Sequence, residues 1–242
     1  MQKPLLIILN FLFSFSMKEN VKFDVVFAED YKSALEYLQQ HKTAFKKAGA
    51  VYHHQPELLY TIVFPELMRY SLMSDLLETS ALEYLYVNHG GSVSDFSIGH
   101  FQMKPSFVEQ LETEIAHSEI LKKEYAAVIL YPATTPLHQR AQRLQRLKSA
   151  QWQLVYLNAF VASVELKTKN LSFKTMEDSL KFYAAAYNSG FTRPPAEIIA
   201  SASGCFFPYG ARYKGAQYAY ADVALYFHRQ TFQKKNPSKV PL

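Results

Sequence analysis

The chain contains no run of alternating apolar and polar residues long enough for a large sheet, whereas several segments repeat apolar residues at helical spacing. Asp30 is placed to cap a helix over 31–47. Pro56 suits the first turn of a second helix, and Pro65 should kink that helix near its end. Further helices are predicted over 75–88, with Asp75 as cap, and over 105–124, 136–169, 175–188, 195–203 and 218–233. The sequence therefore predicts a mainly α fold, with at most a small β-hairpin near residues 88–98, where turn-forming residues are frequent.

Composition indicates a globular protein with a sizeable core, because 49% of the 242 residues are hydrophobic and 19% are charged. Aromatic residues make up 15%, which suits a rigid core or a carbohydrate-binding groove. The net charge of +5 favours an anionic partner but does not indicate whether it is nucleic acid, a membrane surface or a cell wall. Since no dense Lys/Arg run is interleaved with aromatic residues, we expect no nucleic-acid partner.

Cys205 is the single cysteine, which excludes an intramolecular disulfide and a cysteine-based metal site. His53, His54 and Glu57 lie close together, but their spacing differs from that of a zinc-binding helix. The chain also has no Gly-rich phosphate loop. The sequence therefore implies no metal and no organic cofactor.

The N-terminus has the layout of a secretory signal: Lys3 precedes an apolar run over 4–16 that is too short to span a bilayer comfortably. We expect cleavage after Ser16, a helical extension over 17–55, a single large domain over 56–233, and a flexible tail over 234–242. No membrane span is expected after signal removal. A buried N-terminal helix or strand is the alternative.

Three short segments form an ordered pattern: residues 64–66 read FPE, residues 98–105 read IGHFQMKP, and residues 184–190 read AAAYNSG. Together they resemble the lysozyme-like lytic transglycosylases, in the superfamily of soluble lytic transglycosylases and goose-type lysozymes. Gly99 and Gln102 fit the Gly-x-x-Gln-x-x-Pro pattern of that family, and residues 218–226 resemble its closing helix. The resemblance covers roughly residues 56–227 and implies a single-domain lysozyme-like fold.

The resemblance implies that Glu66 is the catalytic acid/base, that Tyr187 faces it, and that Gly99, Gln102 and Asn188 line the substrate groove. Two positions depart from the family: Leu67 replaces the usual Ser, and Glu66 lies 33 positions before Gly99, a longer interval that implies an inserted helix over 75–88. Three other carboxylates rival Glu66 for the catalytic role: Glu57, Glu78 and Glu83.

Glycosidic cleavage needs a carboxylic acid that stays protonated near neutral pH. Neighbouring apolar residues could raise the pKa of Glu66 by burial, and the Tyr187 hydroxyl could orient its carboxyl group. Gln102 would then bind the acetamido or hydroxyl groups of the sugar. The structural alternatives are a surface Glu66, a core Tyr187, and a helix-capping Asn188 before Gly190.

The resulting hypothesis is an exported bacterial enzyme of the periplasm or cell envelope that acts on peptidoglycan glycan strands. It would cleave the MurNAc–GlcNAc β-1,4 bond with Glu66 alone and leave 1,6-anhydromuramyl ends. Two alternatives stay open. Asp95 could act as a second carboxylate in a hydrolytic, goose-type lysozyme, although a turn residue is its simpler interpretation. The protein could also be a catalytically silent peptidoglycan-binding component of a cell-envelope complex.

Overall fold

A computed structural model describes residues 21–73 and 79–233. Its helices are α1 (Phe23–Val26), α2 (Ala28–Val51), α3 (Pro56–Met73), α4 (Thr79–His89), α5 (Pro105–His117), α6 (Glu119–Ile129), α7 (Pro136–Lys148), α8 (Ala150–Thr168), α9 (Met176–Ser189), α10 (Pro195–Ser201) and α11 (Tyr220–His228), which continues into a π-helical turn, Arg229–Gln233. The two strands, β1 (Cys205–Phe207) and β2 (Tyr218–Ala219), pair antiparallel. The predicted mainly α class is confirmed.

The position predicted for the hairpin is wrong. Residues 90–97 form a loop, and at its end Ile98 and Met103 make an isolated antiparallel bridge. The hairpin lies instead at residues 205–219. Its strands have three and two residues, so they are too short to show alternation in the sequence.

Two predicted long helices are each divided by a serine. The side chain of Ser118 accepts a hydrogen bond from the Leu121 N–H, and that of Ser149 accepts one from the Trp152 N–H. A serine at these positions satisfies a free N–H group of the following helix, so a new helix starts there. Segments 105–124 and 136–169 are therefore not single helices.

The cap predicted at Asp30 is also wrong. Helix α2 begins at Ala28, and its N-cap residue, Phe27, makes no side-chain capping bond. Asp30 lies in the first turn, where a carboxylate interacts favourably with the helix dipole. At the other end of the chain, a capping box of Thr175 and Asp178 starts α9, close to the predicted position.

The core is a continuous cluster of buried apolar side chains around α8, which is buried on most of its circumference. Helix α2 packs on α3 through ring contacts: the Tyr31 and Phe64 centroids are 4.8 Å apart, and those of Phe45 and Tyr60 are 4.7 Å apart. Burying each such ring stabilises the fold by about 2 kcal/mol. Helix α2 therefore shares its core with the domain predicted over 56–233.

Some predictions lie outside the described residues: the signal sequence over 1–16, the cap at Asp75, the rival Glu78 and the tail over 234–242. Helix α4 occupies most of the predicted inserted segment. Among the helices of residues 21–73 and 79–233, none has the length and hydropathy needed to cross a membrane.

Candidate active site

Glu66 lies in α3, directly after Pro65, with 3% of its surface exposed. Its neighbours Phe64 and Leu67 are buried core residues, so the carboxyl group sits at the edge of the apolar core. Glu66 is therefore not a surface residue. Pro65 does not end α3, which continues for two further turns to Met73.

Arg69 lies one turn after Glu66 and forms an ion pair with it. Its Nη1 donates to both carboxylate oxygens, at 2.9 Å each. The guanidinium lies 5.2 Å from the ring centroid of Phe207 and 6.0 Å from that of Tyr220. The sequence interpretation missed Arg69, although a Glu–Arg pair three residues apart on a helix is a recognisable signal.

Burial raises the pKa of the Glu66 carboxyl group above its usual value, because the charged form loses its hydration. The positive charge of Arg69, the nearby Tyr220 hydroxyl and Lys104 lower the pKa without cancelling that effect. A carboxyl group in this environment can hold a proton. Once the proton is given away, Arg69 can stabilise the remaining carboxylate.

Tyr187 of α9 is buried, and its hydroxyl donates to the Phe101 carbonyl at 2.8 Å. Burial raises the pKa of Tyr187 well above the usual range, and the nearby Glu66 charge adds to the increase. The fold thus brings Tyr187 close to Glu66, as predicted, but its hydroxyl hydrogen fixes the loop at Phe101. Tyr220 of α11 also lies close to Glu66: its hydroxyl donates to the Ile62 carbonyl at 2.8 Å and interacts with the Glu66 carboxyl group.

Residues 98–103, here called the Gly99 loop, form a tight turn closed by the Ile98–Met103 bridge. Gly99 has φ +67° and Gln102 has φ +49°. Gln102 is buried, and its Nε2 donates to the Gly99 carbonyl at 2.8 Å. One N–H of the Gln102 amide is therefore used inside the loop instead of being presented to a groove.

Gln153 of α8 holds this loop in place. Its Oε1 accepts from the Phe101 N–H at 3.2 Å, and its Nε2 donates to the Ile98 and Leu147 carbonyls at 2.8 and 2.9 Å. A Cβ atom on Gly99 would lie 2.1 Å from Nε2 of Gln153 and would displace it from its hydrogen bonds, and the positive φ of Gly99 also favours glycine. Sequence reasoning missed Gln153, a polar residue in the apolar part of a helix.

Asp95 is bound to the start of α5. Its Oδ1 accepts from the Ser106 N–H at 3.0 Å, its Oδ2 accepts from the Ser106 hydroxyl at 2.8 Å, and Lys104 Nζ lies 3.6 Å away. Both oxygens therefore satisfy groups at a helix N-terminus.

The remaining predicted residues that the structure describes are less buried than Glu66. Asn188 is exposed at the end of α9, which Gly190 terminates with φ +107°. Of the rival carboxylates, Glu57 is exposed in the first turn of α3, and Glu83 forms a 2.7 Å ion pair with Lys148. Unlike either described rival, Glu66 is buried.

A row of half-buried rings runs from α2 past the Gly99 loop to α3. The centroid separations are 4.0 Å for His41 and Tyr37, 4.4 Å for Tyr37 and His100, and 4.2 Å for His100 and Tyr70. Burial lowers the pKa of His100, and the nearby His41 lowers it further. These rings tie the Gly99 loop to the turn of α3 that follows Glu66.

Comparisons with models of known protein families, with curated protein sequences and with solved structures gave no significant match.

Proposed function

We propose that the protein is a peptidoglycan lytic transglycosylase with a lysozyme-like fold and with Glu66 as its general acid and base. The observation that carries this proposal is the burial of Glu66 beside Arg69 and Tyr220, close to Tyr187. Three segments with which the sequence resembles that family, 64–66, 184–190 and 218–226, therefore contribute residues close to one carboxyl group. The proposal includes export to the bacterial cell envelope.

In the proposed reaction, protonated Glu66 gives its proton to the glycosidic oxygen as the bond from C1 of the muramyl residue to that oxygen breaks. Arg69 stabilises the Glu66 carboxylate that forms. The C6 hydroxyl of the same muramyl residue then gives its proton to this carboxylate, and its oxygen bonds to C1. The products are a 1,6-anhydromuramyl end and a free 4-hydroxyl group. Glu66 is protonated again, and no water is consumed.

The arrangement of Asp95 favours this lyase over a two-carboxylate hydrolase. An inverting glycosidase needs a second carboxylate that is free to activate water. Both oxygens of Asp95 instead accept hydrogen bonds from Ser106. Those bonds hold the carboxylate at the start of α5 and leave fewer of its lone pairs for a water molecule.

The second candidate is a catalytically silent peptidoglycan-binding protein. The contact of Arg69 Nη1 with both oxygens of Glu66 favours it, because the ion pair stabilises the ionised carboxylate relative to the protonated acid that catalysis needs. The replacement of Ser by Leu67 after the glutamate points the same way.

Mass spectrometry of the muropeptides released from purified sacculi tests these candidates, with Glu66→Gln run in parallel. We expect anhydro-muropeptides from the wild type and none from the variant. Reducing ends would identify a hydrolase and return Asp95 to consideration. Binding to sacculi without release of muropeptides by either protein would identify the silent binder.

A further inference from the structure

The hairpin at residues 205–219 exposes three aromatic rings. Phe206, Tyr209 and Tyr213 have 52%, 43% and 43% of their surface exposed. In the sequence, Arg212 lies between Tyr209 and Tyr213, and Lys214 follows Tyr213. Both cations are exposed, and neither forms an ion pair with any residue that the structure describes. The hairpin contains no Asp or Glu. It therefore combines apolar ring faces with free positive charge.

Internal contacts hold the hairpin in one shape. The Gly210 carbonyl accepts from Gln217 Nε2 at 2.6 Å and from the Tyr213 N–H at 3.1 Å, and Gly210 has φ +84°. The rings of Tyr209 and Tyr213 lie 4.7 Å apart. The Tyr213 ring also covers Gly215, where a Cβ atom would lie 2.4 Å from it. The exposed rings are thus positioned before any ligand binds, which reduces the entropy cost of binding.

The hairpin is joined directly to the candidate active site. Phe207, the buried neighbour of exposed Phe206, packs under the Arg69 guanidinium. The hydroxyl of Tyr220, the first residue after β2, interacts with the Glu66 carboxyl group. Because successive side chains of a strand point to opposite faces, Phe207 contacts Arg69 while Phe206 is exposed on the other face of β1.

We propose that the exposed face of this hairpin is a binding surface for the glycan strand of peptidoglycan, outside the residues that cleave it. Tyr209, Tyr213 and Phe206 would pack on the apolar faces of sugar rings, and Arg212 and Lys214 would pair with carboxylates of the stem peptides. This inference rests on the proposed function and extends it to substrate binding. The continuity of the hairpin with Arg69 and Glu66 favours a polymer held at the site over a lipid surface.

Binding to purified sacculi by co-sedimentation tests the proposal, with Glu66→Gln in every protein so that the substrate stays intact. Two double variants probe the surface: Phe206→Ala with Tyr209→Ala, and Arg212→Ala with Lys214→Ala. We expect each to weaken binding about tenfold, corresponding to about 1.4 kcal/mol. Salt should weaken the binding of the Glu66→Gln protein more than that of the charge variant.

Matched controls replace residues of the same type elsewhere. Tyr84→Ala removes a tyrosine that is 66% exposed on α4, and Lys46→Ala with Lys47→Ala removes two exposed cations of α2. Binding by these controls should equal that of Glu66→Gln alone. Circular dichroism and the melting temperature establish that all variants are folded.

The outcomes separate this inference from the proposed function. Unchanged binding by both hairpin variants, while the wild type still releases anhydro-muropeptides, overturns the binding surface and leaves the enzyme. The same proteins are also tested for binding to anionic phospholipid vesicles. If the hairpin variants lose binding to the vesicles but bind sacculi as well as Glu66→Gln does, the glycan-binding surface is overturned and the hairpin is a membrane-binding surface. If Glu66→Gln does not bind sacculi and the wild type releases nothing, both proposals fail.

Discussion

Nη1 of Arg69 lies 2.9 Å from each carboxylate oxygen of Glu66, which precedes it by one turn of α3. The contact opposes burial: burial disfavours the ionised carboxylate, whereas the guanidinium favours it. Burial has the larger effect, so the pKa of Glu66 is raised. Whether the carboxyl group can act as an acid near neutral pH is therefore decided by the balance between its burial and Arg69.

Replacing Arg69 by Met removes the positive charge and keeps an apolar chain over Phe207. The pKa of Glu66 should rise further, because the effect that lowers it most has been removed. A general acid loses activity as the pH rises through its pKa, so the basic limb of the activity profile should move to higher pH. The profile of kcat/KM for muropeptide release measures this.

The control for this change is Arg193→Met, which breaks an exposed ion pair with Glu197. Its pH profile should equal that of the wild type. A basic limb that moves to lower pH in Arg69→Met would contradict the assigned role of Arg69.

Glu66→Gln should change how stability depends on pH. In the unfolded chain Glu66 ionises near its usual pKa of 4.5, whereas in the folded protein its pKa is higher. The wild type therefore loses stability as the pH rises from about 4.5 through the folded-state pKa. Gln does not ionise, so the melting temperature of the variant minus that of the wild type should increase over this range.

Thermal unfolding at a series of pH values checks the sign. Glu57→Gln serves as the control, because Glu57 is exposed in the same helix. A difference in melting temperature that stays constant or decreases with rising pH would show that the folded-state pKa of Glu66 is not raised.

Asp95→Asn separates the structural role of this residue from catalysis. Asn keeps an acceptor oxygen for the Ser106 N–H, and its amide can donate to the Ser106 hydroxyl oxygen in place of the bond to Oδ2, so the melting temperature should change little. The lyase should keep its activity, because its reaction does not use Asp95. A loss of activity of 100-fold or more, about 2.7 kcal/mol in transition-state stabilisation, would assign Asp95 the base of a hydrolase instead. Muropeptide release and thermal unfolding of one preparation provide both measurements.

Gln153→Ala should destabilise the protein by about 3 kcal/mol, because buried backbone groups of the Gly99 loop and of Leu147 lose their partners. Those groups are the Phe101 N–H and the carbonyls of Ile98 and Leu147. Urea unfolding measures the change. Gln151→Ala, at an exposed position of the same helix, should change stability by less than about 0.5 kcal/mol. Equal effects of the two substitutions would contradict the assigned role of Gln153.

Tyr187→Phe removes the hydrogen bond to the Phe101 carbonyl and should cost about 1 kcal/mol of stability. Since the Gly99 loop would be less well fixed, kcat/KM should fall while the pH profile keeps its shape. Tyr183→Phe, on the same helix, is the matched control. A shifted pH profile in Tyr187→Phe alone would show that Tyr187 acts on the Glu66 proton directly.

The sequence alone determined the mainly α class and the approximate positions of most helices, because helical spacing and caps such as Thr175 are local properties. It also pointed to Glu66 and Tyr187 as candidate site residues, and the fold brings these two near each other. The breaks at Ser118 and Ser149 were missed, because a serine is compatible both with a helix interior and with a cap.

Tertiary structure decided which groups surround Glu66. Tyr220 and Phe207 reach Arg69 and Glu66 from more than 100 residues away along the chain, and Gln153 fixes a loop 50 residues earlier. The sequence offered Asp95 as either a base or a turn residue, and its contacts with Ser106 assign it to a helix start. Helix periodicity specifies which face of each helix is buried, but not which residues of distant segments meet there. That pairing depends on how the helices pack, and the packing sets the burial and the charges that govern the pKa of Glu66.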